Sequence, residues 1–406
     1  MTFVIYICIT LNNRTMGGLA GHMAHPIDYV DFTAADLKKM ITDMFLGRIS
    51  NITEKIDGTN IQATMNECGE VVFLRNNKDL NSELGGMTIK DMAERWAGIP
   101  SVANTFITAG QIITKAFKNI NARFFNPTPG KKLVVNCECV MAGVTNVMPY
   151  EDTQVDFHDI HIYIKKDDKW VLEEVTKEGL AMIELSCKLQ NLNAKITPQV
   201  FIRNKSASLI EAYHNAIDEV FGGSQDLSIN DWKYIRFRKY ASKQHHWMLN
   251  NEEAFRILFN RWFNSDKSTN IKVIRQMYPN NVDELSELDK KEYKDILVDV
   301  IEPLDRVFIN LGNDVIRSCD GFINGASNDK IIQHLLSEIH KVIELVKSDN
   351  NETLTKLTRQ LYRLEAANGV INSSEGIVFR YNGRLMKLTG SFAPLNQILG
   401  TIKFSR

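Results

Sequence analysis

The sequence has no long apolar run. No stretch approaches the ~20 continuous apolar residues that a membrane-spanning helix needs, so we expect no membrane partner. The first ten residues (MTFVIYICIT) are apolar, but they lack a basic region and a small-residue cleavage site. Because they are rich in Val, Ile and Tyr, they favour a buried strand over a signal peptide.

Cysteine is also sparse. Six cysteines in 406 residues exclude the disulfide framework of a small secreted protein, and a reducing cytoplasm is the compartment that we expect. Cys137 and Cys139 are two residues apart in a strand-like segment, so they share one face. They could form half of a metal site. No second Cys or His pair of suitable spacing follows, however, and packing within a sheet is the interpretation we prefer.

No charge of one sign dominates. The chain has 48 basic and 49 acidic residues, a net charge of −1. This balance gives no global reason to expect nucleic acid as a partner, so any such contact must depend on a local basic patch. The hydrophobic content of 44% and the charged content of 24% exclude a disordered or collagen-like chain.

Hydrophobic periodicity gives the chain strand-rich ends and a helical middle. Alternating patterns predict strands at 60–64, 71–74, 132–140, 157–164 and 376–388. Helical patterns predict helices at 36–46, 330–347 and 353–366. We therefore predict an α+β fold. Residues 1–169 and 368–406 would form a domain of antiparallel sheets with flanking helices, and residues 170–367 a large, mainly helical insertion that serves as an accessory domain.

One short motif carries chemical information. Residues 54–60 read EKIDGTN. A lysine followed by an acid at i+2 and by glycine at i+3 is typical of a strand–turn junction, where the glycine lets the backbone approach a ligand closely. Taken alone, however, this pattern is better explained by an ordinary surface turn.

The motif is followed by five more elements in a fixed order. They are Arg75 in FLRNN, Glu138 in NCECVMAG, Phe157 in VDFHDI, Glu375 in SEGIVF and Lys387 in RLMKLTG. The ordered set resembles the covalent nucleotidyltransferase superfamily of ATP-dependent DNA and RNA ligases and mRNA capping enzymes, and within it the phage-type RNA ligase 2 branch. The resemblance covers about residues 50–165 and 370–390. It implies an ATP-grasp-like nucleotidyltransferase (adenylation) domain and, for a viral chain, the host cytoplasm.

The resemblance also implies catalytic roles. Lys55 would attack the α-phosphate of ATP, forming a lysyl–AMP adduct and releasing pyrophosphate. An amine must lose its proton before it can attack. Lys387 is implied as the cation that lowers the pKa of Lys55 and contacts the α-phosphate. Asp57, in the same motif as the nucleophile, completes the implied catalytic set.

Nucleotide contacts are implied for the other members of the set. Glu54 would face the adenine edge, and Phe157 would stack on the ring. Arg75 and Glu138 would hold the ribose and nearby phosphate oxygens. The further nucleotide-binding positions are Gly58, Asn60, Glu375 and Lys387. Because hard oxygen ligands suit Mg²⁺ (or Mn²⁺), Glu375 and Glu138 are also the implied metal ligands.

Three regions depart from the family pattern, and one of them is Cys137, which stands before Glu138 where the third motif usually has glycine. Thr389 stands where the last motif usually has a second lysine, so another cation, such as Arg384 or Lys403, would have to replace it. Asp159 and His161 stand where an aromatic–aspartate pair is usual. These changes leave room for a slow or degenerate enzyme.

A basic, aromatic stretch within the predicted insertion is a second candidate site. Residues 232–243 (WKYIRFRKYASK) contain no acid. Cations bind phosphates and aromatic rings stack on bases, which makes Lys233, Arg236, Arg238 and Lys239 candidate nucleic-acid contacts. The same pattern also fits an amphipathic helix whose aromatic side chains point inward, and the sequence does not decide between the two.

A glycine-rich segment near the start is a third. Residues 17–26 (GGLAGHMAHP) contain His22 and His25. Two histidines without a third ligand are weak support for zinc. The segment could be a packed loop, but we prefer a loop that lines the active site.

The sequence therefore predicts an ATP-dependent polynucleotide ligase that seals 3′-hydroxyl and 5′-phosphate ends. RNA is the favoured substrate, since too few residues follow Lys387 for the OB domain that DNA ligases and capping enzymes usually carry there. A DNA nick ligase, a GTP-using capping-type enzyme and a catalytically degenerate ligase-fold protein that binds nucleic acid are the alternatives.

Overall fold

The computed structural model describes residues 23–142, 150, 152–203, 206–289, 293–320 and 374–392. Several predicted features lie outside these residues: the strand at 1–10, the helices at 330–347 and 353–366, His22 and Lys403.

Helices and strands alternate in the first half of the described chain, and helices dominate the second. The helices are α1 (Ala34–Phe45), α2 (Asn77–Leu80), α3 (Ile89–Arg95), α4 (Pro100–Phe117), α5 (Ala122–Phe125), α6 (Leu180–Leu189), α7 (Ala207–Phe221), α8 (Ile229–Gln244), α9 (Glu252–Phe263), α10 (Ile271–Met277), α11 (Val282–Glu287) and α12 (Tyr293–Arg317). The strands are β1 (Thr53–Lys55), β2 (Thr59–Met65), β3 (Val71–Leu74), β4 (Lys131–Val140), β5 (Gln154–Lys166), β6 (Lys169–Thr176), β7 (Ala194–Ile196), β8 (Phe201–Ile202), β9 (Cys319–Asp320), β10 (Gly376–Tyr381) and β11 (Arg384–Leu388).

Local sequence explains several of these boundaries. Helix α1 begins after Thr33, whose hydroxyl accepts from the backbone N–H of Asp36 while the Asp36 carboxylate bonds back to the Thr33 N–H. Thr88 and Asp91 repeat this capping box at α3. Each box satisfies N–H groups that a helix start leaves unpaired.

Two sheets carry the residues of interest. The larger has the strand order β3-β2-β4-β5-β6, with β7 parallel to β5, and its other pairings are antiparallel. The smaller has the order β1-β10-β11 and is wholly antiparallel. The mixture of antiparallel sheets and helices confirms the α+β prediction. The smaller sheet joins segments more than three hundred residues apart in the chain.

A β-bulge in β5 changes which side chains reach which face of the larger sheet. Cys137 pairs with Phe157 and Asn136 pairs with Asp159, so His158 is the extra residue. Phe157 and Ile160 then lie in the core, whereas His158 and Asp159 lie on the opposite face with Glu138. Bulges of this kind re-aim side chains and are common beside functional sites.

Three large hydrophobic cores organise the described chain. The first joins α1, α7 and α12 to the smaller sheet through residues such as Leu37, Ile217 and Phe379. The second lies between one face of the larger sheet and helices α3, α4 and α6. The third is wholly helical, and aromatic rings from α8 and α9 dominate it. Cys137 and Cys139 are buried in the second core, so the structure favours the sheet-packing interpretation of this pair.

The larger sheet continues past residue 170, where we placed the start of the helical insertion. Strand β6 begins at Lys169 and pairs with β5, and β7 joins the same sheet. The boundary was misplaced because β6 is largely exposed and polar, so its alternation is weak. None of the helices in the described residues is both long and apolar enough to cross a membrane.

Candidate active site

The smaller sheet brings together three residues from opposite ends of the sequence. Lys55, the last residue of β1, pairs in register with Gly376 at the start of β10. This pairing places Glu375 beside Lys55, and the Lys55 Nζ forms an ion pair with the Glu375 Oε1. Lys387 on β11 pairs with Val378 on β10, so it lies on the far side of β10 from Lys55.

The charges in this site are strongly coupled. Burial opposes the ammonium form of Lys55, but the carboxylates of Glu375, Glu138 and Asp57 outweigh it and hold the pKa of Lys55 above its ordinary value. Burial raises the pKa of Glu375 to about 7 even though Lys55 opposes the shift. Burial and repulsion from Lys55 lower the pKa of Lys387 to about 8.

These directions correct one expectation. Lys387 was expected to lower the pKa of Lys55, yet in the structure described here the carboxylates around Lys55 dominate and the pKa is raised. The two lysines do repel each other, but the repulsion lowers the pKa of Lys387 and not that of Lys55. Displacing Glu375 from Lys55 would remove the closest stabilising partner of the ammonium form.

The larger sheet supplies a second group of predicted residues. Asn60 on β2 pairs in register with Glu138 on β4. The Arg75 guanidinium donates to the backbone carbonyl of Asn60 and lies 5.3 Å from the ring centroid of Phe106. Burial lowers the pKa of Arg75 while the nearby Glu138 opposes the shift. Glu138 acts electrostatically on both Arg75 and Lys55. Its carboxylate therefore links the residues on the larger sheet to those on the smaller sheet.

The turn between β1 and β2 needs glycine at its last position, residue 58. A Cβ atom built on Gly58 would lie 2.6 Å from the carbonyl oxygen of Cys139 and 2.8 Å from the Cγ of Glu138. The turn therefore passes directly over β4. This close approach fixes the distance between the Lys55 side of the site and the Glu138 side.

Tyr150 is a site residue that the sequence pattern did not indicate. Its hydroxyl oxygen accepts from the backbone N–H of Asp57 at 3.0 Å. Burial and the carboxylates of Asp57, Glu54 and Glu375 raise the pKa of Tyr150. Glu54 itself is buried, with 2% of its surface exposed. Tyr150 thus anchors the turn that follows the candidate nucleophile, but no signal in its polar surroundings pointed to it.

Phe157 does not lie with the other predicted residues, and its expected stacking role is wrong for this structure. Its ring is wholly buried in the second core, on the face of the sheet away from Glu138. The bulge presents His158 on the site face instead, where its Nε2 lies 3.7 Å from the Glu138 Oε2. Burial opposes protonation of His158, but Glu138 and the nearby aspartates outweigh it and raise the pKa of the imidazole.

The described end of the glycine-rich segment does approach the site. Ala24 forms a bridge to Met386, and its carbonyl accepts from the Lys387 N–H at 3.0 Å. His25 is buried, and burial together with the charges of Lys387 and Lys55 holds the pKa of its imidazole well below the ordinary value. The neutral imidazole therefore lies close to both lysines, as expected of a segment that lines the site.

The substitute for the missing second lysine is not Arg384. Its guanidinium makes two hydrogen bonds to the Asp31 carboxylate, at 2.7 and 2.6 Å, on the protein surface. Thr389 is buried and lines a recess with Lys233 of α8 and with His25 and Asp28. A cation from the helical region therefore reaches the neighbourhood of Thr389.

The predicted nucleic-acid contacts of α8 need correction, because most of these side chains are engaged within the protein. Lys233 is 2% exposed and its Nζ donates to the Ile27 carbonyl. Arg236 donates to carbonyls of α12. Arg238 pairs with Glu252 at the surface. Lys239 is exposed, so one of the four predicted basic residues retains the character of an open surface contact.

The donor set is compatible with a shared divalent cation. The described residues contain no cluster of three or more His, Cys, Asp or Glu arranged to hold a metal ion. Mg²⁺, however, is commonly held by one or two carboxylates together with substrate phosphates. Glu375 and Glu138 are hard oxygen donors that both act on Lys55, and they fit that mode.

Comparison of the chain with protein-family models finds no match, and comparison with curated proteins finds none either.

Proposed function

We propose that this chain is an ATP-dependent polynucleotide ligase that acts through a covalent lysyl–AMP intermediate at Lys55 and joins RNA ends in preference to DNA ends. The convergence of Lys55, Glu375, Lys387 and Glu138 carries the proposal. Lys55, Lys387 and Glu138 lie on three strands in two sheets, and Glu375 directly precedes a fourth strand. Lys55, Glu375 and Lys387 act on one another electrostatically. An ATP-grasp-like arrangement of the two sheets belongs to the same proposal.

The chemistry follows from the positions of these groups. The neutral amine of Lys55 would attack the α-phosphorus, forming a P–N bond while the P–O bond to pyrophosphate breaks. Lys387 and Arg75 would offset the charge that develops on the phosphate oxygens. AMP would then pass to a 5′-phosphate, and a 3′-hydroxyl would displace it to form the new phosphodiester. When bound, Mg²⁺ held by Glu375 and Glu138 would supply further charge neutralisation.

Covalent labelling tests this proposal. The protein is incubated with ATP labelled on the α-phosphate and with Mg²⁺, and is then separated by denaturing electrophoresis. We expect a labelled protein band. In a separate joining assay, we expect nicked RNA duplexes to be sealed faster than nicked DNA duplexes. Faster joining of DNA nicks would favour a DNA ligase, and label from GTP instead of ATP would favour capping-type chemistry.

A degenerate ligase fold that binds nucleic acid is the second candidate. Two observations favour it: Thr389 replaces a family lysine, and the pKa of Lys55 is raised, which disfavours the nucleophilic amine. Absence of any label, together with binding of an RNA duplex, would support this candidate over the ligase.

The rate of adduct formation should change its pH dependence near pH 8. Attack needs Lys55 neutral and Lys387 charged. The pKa of Lys387 is about 8 and that of Lys55 is raised. From pH 7, above which Glu375 is mostly ionised, the neutral fraction of Lys55 grows about tenfold per pH unit. Above pH 8 the charged fraction of Lys387 falls equally, so the rate should level off. The second-order rate constant at low ATP concentration reports these free-enzyme groups.

Lys387→Arg provides the control for this profile. An arginine stays charged throughout the range, so the variant should continue to rise above pH 8, whatever its absolute rate. A wild-type profile that keeps rising without a break would contradict the assignment of Lys387.

Gly58→Ala should slow adduct formation roughly 100-fold, the scale expected when a reacting group is misplaced by about 1 Å. The added methyl would collide with the Cys139 carbonyl and the Glu138 side chain. The turn would have to move, and Lys55 and Glu138 would separate. The measurement is the initial rate of labelling. Gly98→Ala is the matched control, because a Cβ there meets nothing within 4 Å, and an equal loss in both variants would refute the argument.

A further inference from the structure

The segment that follows β11 is enclosed by close backbone contacts on two sides. On one side lies Gly376, the residue after Glu375, where an added Cβ atom would overlap the carbonyl oxygen of Leu388. On the other side lies Gly312 of α12, where an added Cβ atom would come within 2.5 Å of the backbone nitrogen of Gly390. Neither contact leaves room for a side chain, so the segment is fixed between the start of β10 and helix α12.

Asn313, the next residue of α12, bonds directly to this segment. Its Oδ1 accepts from the backbone N–H of Ser391 at 2.8 Å, and its Nδ2 donates to the Ser391 Oγ at 2.7 Å. Both residues are 1% exposed, so water does not replace a partner that is lost. We call this pair of hydrogen bonds the Asn313 clamp.

The helix that carries the clamp is itself firmly held. Leu311 and Val315, on either side of Asn313, are wholly buried in the first core, which also contains the smaller sheet. Earlier in α12, Pro303 has no N–H to donate to the Asp299 carbonyl. The Arg236 guanidinium of α8 donates to that carbonyl instead, at 3.3 Å. The first core and α8 therefore fix α12 on both sides of the proline.

The clamped segment is directly connected to the candidate catalytic groups. Ser391 follows Lys387 by four residues, and Gly376 follows Glu375 directly. Gly376 also pairs in register with Lys55. A shift of the segment would therefore move Lys387 and Glu375 relative to Lys55. Displacements of about 1 Å between reacting groups are enough to slow a reaction about 100-fold.

We propose that Asn313 is a positioning residue, which holds the Lys387 strand and the start of β10 in the arrangement that adduct formation requires. It acts through the strand and not by contact with ATP. The inference rests on the proposed function and deepens it, because it gives a helix of the predicted insertion a part in the reaction.

The test compares adduct formation by the full chain and by its Asn313→Ala variant, with labelled ATP and Mg²⁺. The maximal rate should fall about 10- to 100-fold. The ATP concentration that gives half this rate should stay unchanged, because the displaced groups act on charge that develops during the reaction. Ser391→Ala removes only the Oγ acceptor and should give a smaller loss. If Asn313→Ala does not fold, Ser391→Ala makes the same comparison.

Tyr213→Phe is the matched control. The Tyr213 hydroxyl donates to the Asp314 Oδ2 at 2.6 Å, so this variant also removes a hydrogen bond of α12, one residue from the clamp. Rates are compared at a temperature at which denaturant titration shows every variant to be fully folded. Tyr213→Phe should label at the wild-type rate, whereas a merely structural role of Asn313 would make the two variants alike.

Acylation of Lys387 by an amine-reactive reagent gives a second readout that needs no ATP. Its rate, measured by peptide mass spectrometry, should change several-fold in Asn313→Ala and not in Tyr213→Phe. Equal labelling and acylation rates in the two variants would overturn the inference while leaving the ligase intact. Wild-type protein that takes no label would refute the ligase, and the acylation rates would then still decide whether the clamp holds Lys387.

Discussion

Lys55→Ala is expected to abolish covalent labelling by ATP. The side chain removed is the proposed nucleophile, and Lys387, the cation on which Lys55 acts, lies two strands away on β11. Lys55→Arg should be equally inactive, since a guanidinium does not lose its proton in a protein. The measurement is the amount of label retained after denaturation at long incubation times, when even a slow reaction would become visible.

Lys90→Ala is the control for this loss. Lys90 is an exposed residue of α3 whose ion pair with Glu94 spans 3.8 Å, and its removal should leave labelling unchanged. Undiminished label on Lys55→Ala would place the nucleophile elsewhere and remove the basis of the proposed function.

The largest loss of stability is expected from Phe237→Ala. The ring is wholly buried in the third core, where its centroid lies 4.6 Å from that of Phe255 and 5.1 Å from that of Phe263. Deleting a buried phenyl ring typically lowers the free energy of unfolding by about 3–5 kcal/mol. Denaturant titration followed by tryptophan fluorescence measures the change.

The same helix offers a matched comparison. Ile235 of α8 is 54% exposed, and its replacement by alanine should cost under about 1 kcal/mol. Equal losses at the two positions would show that α8 does not direct its aromatic side chains inward. That result would reopen the alternative in which they stack on bases.

The order of motifs allowed most of the candidate site to be predicted. Lys55 is more than three hundred residues from Glu375 and Lys387 in the sequence. The pairing of β1 with β10, and of β10 with β11, brings the three residues together. Residue type and motif order were enough to predict this grouping, because each of these residues lies on a strand of the smaller sheet or directly before one. The same is true of Asn60 and Glu138, which face each other across β2 and β4.

The failures have physical causes that a one-dimensional pattern does not contain. Phe157 was assigned to the site by its place in the ordered set of motifs, but the bulge at His158 leaves the Phe157 ring in the core. Lys233 was expected at the surface, but its helix packs against the turn at Ile27 and buries the amine. Tyr150 reaches the site from a segment that has no regular pattern.

Peptide mapping by mass spectrometry tests the central claim most directly. The full chain is mixed with ATP and Mg²⁺, denatured and digested, and each lysine-containing peptide is searched for the mass of a bound AMP. The account predicts the modification on the peptide that contains Lys55, and its disappearance when a nicked RNA duplex is added. AMP on a different lysine, or no modified peptide at all, would contradict it.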